Sequence, residues 1–179
     1  MIIAFTLTSI GLITYLSNSK VFLKVIHPLK FEEQVNKYAK EFGLDPFLVF
    51  AIIRVESNYD KYAISAKEAK GLMQITDKTG IWASEELQLR DFSTSNLFDP
   101  EINIKIGCWY LDRLNKEFDG NLALTITAYN GGSGRVRKWL KDKSLSNNGK
   151  HLEKIPFIET DNYVKKVVKE YKMLRYIWQ

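Results

Sequence analysis

Apolar positions recur along most of this chain at helical spacing. The densest stretch is Phe47 to Val55, where every residue but Arg54 is apolar. A helix apolar on all sides belongs in a core. Asp45 suits the N-cap of that helix and Pro46 its first turn. Upstream, Phe31, Val35, Tyr38, Ala39 and Phe42 share a helical face that Gly43 closes. Residues 58–70 have mixed polarity without a sustained period and read as a loop or short hairpin. Gly71 to Ile75 opens a short helix running toward Trp82. Residues 84–98, rich in Ser, Asp and Asn, read as loop.

Asp99-Pro100-Glu101 repeats the start signal of Asp45-Pro46. Ile102, Ile106, Trp109 and Arg113 fall on one face of the helix that follows. Gly107, Leu111, Leu114 and Phe118 fall on the next face, and Asp119-Gly120 ends it. Asn121 caps a helix over Leu122–Tyr129, which breaks at Asn130-Gly131-Gly132, where positive φ is expected. Arg135 to Leu140 forms a short basic helix, and residues 141–153 form a mobile polar loop. Thr160 caps a last helix whose Tyr163, Val167, Tyr171 and Leu174 make one face. No strand pattern of any length appears. The fold class is mainly α, in one domain over residues 30–179, with at most a small hairpin.

Residues 1–16 are almost wholly apolar and uncharged. With the apolar positions up to Ile26 they read as a signal anchor or signal peptide over residues 1–26. Lys20 and Lys24 follow the segment and none precedes it, against the usual orientation bias. A buried core helix is the alternative. The anchor reading puts the domain outside the cytoplasm, membrane-anchored or secreted, with the membrane as a partner through this segment.

The net charge of +5 fits an anionic partner. The basic residues are scattered, with no run that favours nucleic acid. Aromatics reach 13%, enough to line a carbohydrate cleft as well as a core. The single cysteine, Cys108, excludes an internal disulfide and sits in an apolar helical pattern. His27 and His151 lack partners at ligand spacing, so neither a metal nor a cofactor is expected. A monomer is expected.

Glu56 is the candidate for chemistry. It ends the most apolar helix and shares a face with Val49 and Ile52. Burial and the negative helix terminus both disfavour its anion and push its pKa upward. A general acid working near neutral pH needs that shift.

Four local features stand out in order: Glu56-Ser57, Gly71-Leu72-Met73-Gln74, Ala128-Tyr129-Asn130-Gly131-Gly132, and Glu159-Thr160 with Tyr163-Val164. Together, over about Tyr38 to Tyr171, they resemble the soluble lytic transglycosylase domain, a lysozyme-like family acting on peptidoglycan. Leu97 to Ile104, with Gly107 and Tyr110-Leu111, resembles the middle helix of that family. Lys61 stands where the family often has proline, and Glu68 where it often has glycine.

The resemblance implies a lysozyme-like helical fold with Glu56 as the catalytic acid. It places Ser57 near the reacting sugar and puts Met73, Gln74, Tyr129, Asn130 and Tyr163 along the substrate cleft. The implied reaction cleaves the β-1,4 bond between N-acetylmuramic acid and N-acetylglucosamine and forms a 1,6-anhydro ring. Ordinary glycosidases use two carboxylates, and only Glu56 has both a buried position and a motif. Asp60 and Asp77 are the carboxylates a goose-type lysozyme hydrolase would draw on. A non-catalytic wall-binding module is the other alternative.

Overall fold

A computed structural model describes residues 19–179. The apolar segment 1–16 lies outside the described residues. The described chain forms α1 (Lys20–Ile26), α2 (Glu32–Glu41), α3 (Pro46–Ser57), α4 (Asp77–Glu86), a 3-10 turn (Thr94–Phe98), α5 (Pro100–Glu117), α6 (Leu122–Gly131), α7 (Ser133–Lys141) and α8 (Ile158–Trp178). Pairing within it is limited to two isolated bridges, Ile64 with Lys70 and Lys70 with Ile75.

The start of α3 follows from its first residues. Asp45 Oδ1 accepts from the Phe47 amide at 2.9 Å, and Pro46 needs no donor there. Leu48 through Ile53 are all buried, so α3 forms the axis of the core. It lies along α8, and α6 packs against α8 from another side. Val35, Tyr38 and Ala39 of α2, and Ile104, Ile106, Cys108, Trp109 and Leu111 of α5, close the same core. A second cluster joins Leu114 and Phe118 to Leu124, Ala128, Val136, Trp139 and Leu145.

Four expected boundaries move. Residues 71–74 are a turn, and α4 begins only at Asp77. Gly71 and Gln74 have φ of +73° and +50°, outside the α-helical region. Thr76 caps α4 instead, accepting from the Thr79 amide at 3.2 Å. Residues 84–98 are not loop throughout. α4 runs to Glu86, and Ser93 and Asn96 cap the 3-10 turn reciprocally. Of Asn130, Gly131 and Gly132, only Gly132 adopts positive φ, and Gly131 stays helical.

Thr160 does not cap α8, which begins at Ile158. Thr160 is buried, and a Cβ built on Gly131 would meet its methyl at 3.5 Å. Its side chain therefore fills the α6–α8 contact rather than a helix end. In the segment 141–153, Leu145 and Ser146 are buried, so that loop is anchored at its middle.

α1 is fixed to the domain at its C-terminal end. Arg54 Nη2 donates to the Ile26 carbonyl at 2.7 Å, and Trp178 Nε1 donates to the His27 carbonyl at 3.2 Å. Glu170 accepts from Arg54 Nε at 3.1 Å and contacts His27 Nδ1 at 2.8 Å. No helix among the described residues is long and apolar enough to cross a membrane.

Candidate active site

Glu56 occupies the last turn of α3, and the chain then turns sharply. Asn58 and Tyr59 both have positive φ, at +49° and +67°, and the Asn58 amide closes the helix on the Arg54 carbonyl. That turn holds Glu56 against α8, where the Tyr163 hydroxyl donates to Glu56 Oε1 at 2.7 Å. Burial pushes the Glu56 carboxyl from an ordinary 4.5 up to about 7, and the Tyr163 hydrogen bond opposes part of that rise. Tyr163 itself is driven well above its usual range, first by burial and then by the charge of Glu56. It therefore remains a donor throughout the range in which Glu56 titrates.

The turn 71–74 forms the second wall, and Asn103 builds it. Asn103 is fully buried on α5. Its Oδ1 accepts from the Met73 amide at 2.8 Å, and its Nδ2 donates to the carbonyls of Lys70 at 2.9 Å and Leu97 at 2.7 Å. One side chain thus satisfies the buried Met73 amide and Leu97 carbonyl, and it shares the Lys70 carbonyl with the Ile75 amide. Gly71 is required at this approach, since a Cβ there would lie 2.2 Å from the Leu97 carbonyl oxygen.

Met73 places its side chain in the core, fully buried over Gly107. What it presents to its surroundings is its carbonyl, which accepts from the Tyr129 hydroxyl at 2.8 Å. Ser57 also turns inward, donating to the carbonyls of Ile53 at 3.1 Å and Leu72 at 2.9 Å. It ties the end of α3 to the 71–74 turn. Gln74 donates through Nε2 to the carbonyls of Ala63 at 3.1 Å and Gly71 at 2.9 Å, which fixes the loop before the turn.

Tyr129 comes from the last turn of α6. Burial raises its hydroxyl pKa well above the usual value, and the charge of Glu56 adds to the rise. Around it, Gln74, Thr76, Tyr110, Asn130 and Gly132 line a groove of 250 Å³. Asn130 is exposed on its rim. Tyr110 continues the wall: its ring lies 5.6 Å from that of Tyr129 and 6.3 Å from that of Trp82. Beyond it, Trp82, Trp109 and Arg113 line a wider groove of 690 Å³, with the Arg113 guanidinium 4.7 Å from the Trp82 ring.

The carboxylates nearest in sequence are engaged elsewhere. Asp60 is exposed and accepts from the Tyr62 amide at 2.9 Å. Asp77 accepts from Lys70 Nζ at 2.6 Å. Among the described residues no three His, Cys, Asp or Glu side chains gather as metal ligands.

The structure thus brings Glu56, Tyr163, Tyr129 and the 71–74 turn together at the junction of α3, α6 and α8. Sequence reasoning assigned no role to Asn103, Tyr110 or Trp82 here. A buried Asn amid apolar positions of α5 was the available signal for Asn103, because such a side chain must be satisfied.

Residues 33–151 match the transglycosylase SLT domain family. The chain is 34% identical over 143 residues to the soluble lytic murein transglycosylase of Escherichia coli, covering 79% of this chain and 22% of that protein. It is 35% identical over 136 residues to the membrane-bound lytic murein transglycosylase C of Edwardsiella ictaluri, covering 66% of this chain and 36% of the other. The fold superposes with a TM-score of 0.76, at 34% identity, on an inactive Glu-to-Gln mutant of the lytic transglycosylase Slt from Pseudomonas aeruginosa, covering 87% of this chain and 25% of that one. It matches the 70 kDa soluble lytic transglycosylase of Escherichia coli with a TM-score of 0.77 at 31% identity, again over 87% and 25%. The chain therefore spans roughly a quarter to a third of the length of these relatives. With the family match, the shared fold and the helical scaffold around Glu56, this chain belongs to the lysozyme-like transglycosylase SLT domain family.

Proposed function

We propose that this chain is a peptidoglycan lytic transglycosylase in which Glu56 acts first as general acid and then as general base. One observation carries the reading. Glu56 is a lone carboxyl at a half-buried helix end, its pKa pushed up to about 7, with Tyr163 as its hydrogen-bond donor. An acid poised there is half protonated near neutral pH, so it both gives and takes a proton.

The protonated form donates to the oxygen linking N-acetylmuramic acid to N-acetylglucosamine. As that bond breaks, positive charge develops at the anomeric carbon, and the acetamido group of the same sugar stabilises it. Glu56, now a carboxylate, accepts the proton of the C6 hydroxyl. The C6 oxygen bonds to the anomeric carbon and closes the 1,6-anhydro ring. No water enters the product, and no second carboxylate is needed. An attacking group within the same sugar has a high effective concentration.

The Tyr163 hydroxyl supports the anionic stage by donating to Oε1. Tyr129, held by the Met73 carbonyl, stands where it orients the sugar. Asn130 on the rim and Gln74 in the groove wall provide amide contacts, while Ser57 and Met73 act by holding the wall in place. The Tyr110–Trp82 wall offers ring faces to the glycan strand. The engagement of Asp60 and Asp77 elsewhere favours this lyase over a two-carboxylate hydrolase. The uncharged apolar residues 1–16, and a relative named membrane-bound, support an extracytoplasmic site of action at the membrane.

Digestion of purified peptidoglycan, read by mass spectrometry of the released muropeptides, tests the proposal. Products one water lighter than hydrolysed ones are expected, and they disappear in Glu56→Gln. Reducing-end products would make the protein a hydrolase. Release that persists in Glu56→Gln would remove Glu56 from the chemistry.

A further inference from the structure

The first helix carries a face that the rest of the described chain leaves open. α1 turns Leu23 partly inward and packs against α8. Val21, Phe22, Val25 and Ile26 fall at positions i, i+1, i+4 and i+5, so they share the opposite side. They are 76%, 43%, 72% and 43% exposed. Tyr176, in the last turns of α8, is 59% exposed. Lys20 Nζ stands 4.9 Å from the Tyr176 ring, and Lys24 Nζ stands 4.6 Å from the Trp178 ring. Along the edge nearest α8, the four apolar side chains are thus flanked by two lysines and two amphipathic aromatics, and α1 contains no acidic residue.

We propose that this face seats the domain on the surface of an anionic lipid bilayer. The proposal rests on the membrane reading of residues 1–16 and adds a contact by the folded domain itself. Three features select lipid as the occupant. First, only three residues separate Leu16 from Lys20, a span of at most roughly 13 Å. Wherever the apolar segment enters a bilayer, α1 lies at its surface. Second, the composition is that of an interfacial helix: an apolar side to bury, lysines that reach outward to anionic headgroups, and Tyr and Trp at the boundary. Third, a second copy is a poorer occupant. A self-complementary seam would gather Lys20 and Lys24 of both copies without a carboxylate from α1 to offset them.

The seat has a consequence for the site. α8 runs from Tyr163, which holds Glu56, to Tyr176 beside the lipid face. At a helical rise of about 1.5 Å per residue these two tyrosines stand about 20 Å apart along the helix. α8 then works as a strut that sets the height of Glu56 over the membrane, so the glycan strands reached are those nearest the bilayer.

The test uses the full chain with vesicles of equal parts phosphatidylethanolamine and phosphatidylglycerol. Val25→Cys and, as a distant exposed control, Lys150→Cys each receive an environment-sensitive fluorophore; Cys108 is fully buried and out of reach of the label. Near-ultraviolet circular dichroism matching the unlabelled chain establishes that both fold. The expected result is a blue shift at position 25 with loss of most of its emission to shallow nitroxide-labelled lipids, and neither effect at position 150. If the chain sediments with the vesicles while the position-25 probe stays in water, the seat is wrong and residues 1–16 alone hold the chain. If the chain does not sediment, the membrane reading falls with it. If position 25 is shielded in the absence of vesicles, a second copy or residues 1–16 cover the face and the proposal is overturned.

Discussion

The Tyr163 hydroxyl donates to Glu56 Oε1 at 2.7 Å. The bond works against burial: burial raises the pKa of Glu56, and the hydrogen bond lowers it because it favours the anion. The acidity of Glu56 is therefore a balance between the burial that raises its pKa and the donor that α8 supplies.

That balance predicts a pH profile. The first step of the proposed reaction needs protonated Glu56, so turnover should fall as pH rises through about 7. In Tyr163→Phe the opposing hydrogen bond is gone while the ring still fills its place. The alkaline limb of kcat/KM should move to higher pH, and kcat at its plateau should fall because the anionic stage has lost its donor. Anhydro-muropeptide release followed across pH reads both effects. A limb that stays in place would mean that Tyr163 does not set the acidity of Glu56.

The same group predicts a stability change of defined sign. Glu56 moves from 4.5 to about 7 on folding, so the folded chain keeps its proton to higher pH than the unfolded one. Between those values the folded state binds more protons, and stability falls as pH rises through the window. Glu56→Gln has no charge to bury and still offers an oxygen to Tyr163. It should match the native chain below about pH 4 and exceed it at about pH 8, by up to about 3 kcal/mol. Thermal melts of both proteins at the two pH values test this; equal Tm values at the higher pH would refute the buried-acid description.

How far the sequence reached is clearest at three places. Asp45-Pro46 and Asp99-Pro100 located two helix starts because capping and the proline ring act over two or three residues. Glu56 and Tyr163 were marked separately, but their contact joins residues far apart in the chain and only packing creates it. The 71–74 segment has the look of a helix start in sequence, but it is a turn whose partner, Asn103, lies on another element. Local pattern located the two Asp-Pro starts; it says little about backbone groups satisfied by a distant side chain.

Asn103 is therefore the position where a polar-to-apolar change does most harm away from the acid. Asn103→Ala leaves the Met73 amide and the Leu97 carbonyl buried without their partner, while the Lys70 carbonyl keeps the Ile75 amide at 3.0 Å. A loss of about 3 kcal/mol is expected from those groups together. Activity should drop by about ten- to a hundredfold in chains that still fold, because the Met73 carbonyl that holds Tyr129 shifts with the turn. Urea denaturation and muropeptide release together test it. Native stability in Asn103→Ala would show that water replaces the amide at no penalty.

Glu68 gives the converse case, a glutamate held in a backbone conformation that favours glycine. It has φ of +60°, a left-handed conformation that glycine adopts freely and a glutamate does not. The residue is exposed, and its amide donates to the Ser65 carbonyl at 2.9 Å to close the loop before Gly71. Glu68→Gly removes the side-chain clash of that conformation and also frees the unfolded chain, so the two effects partly cancel. The left-handed strain is the larger, and a net gain of up to about 1 kcal/mol is expected. The gain should appear in the urea midpoint with an unchanged m-value, because the surface exposed on unfolding is the same. Catalysis should be unaltered, since the residue is exposed and lines neither the 250 Å³ groove nor the 690 Å³ groove. A loss of stability in Glu68→Gly would mean that the glutamate side chain, rather than its backbone, is what the loop depends on.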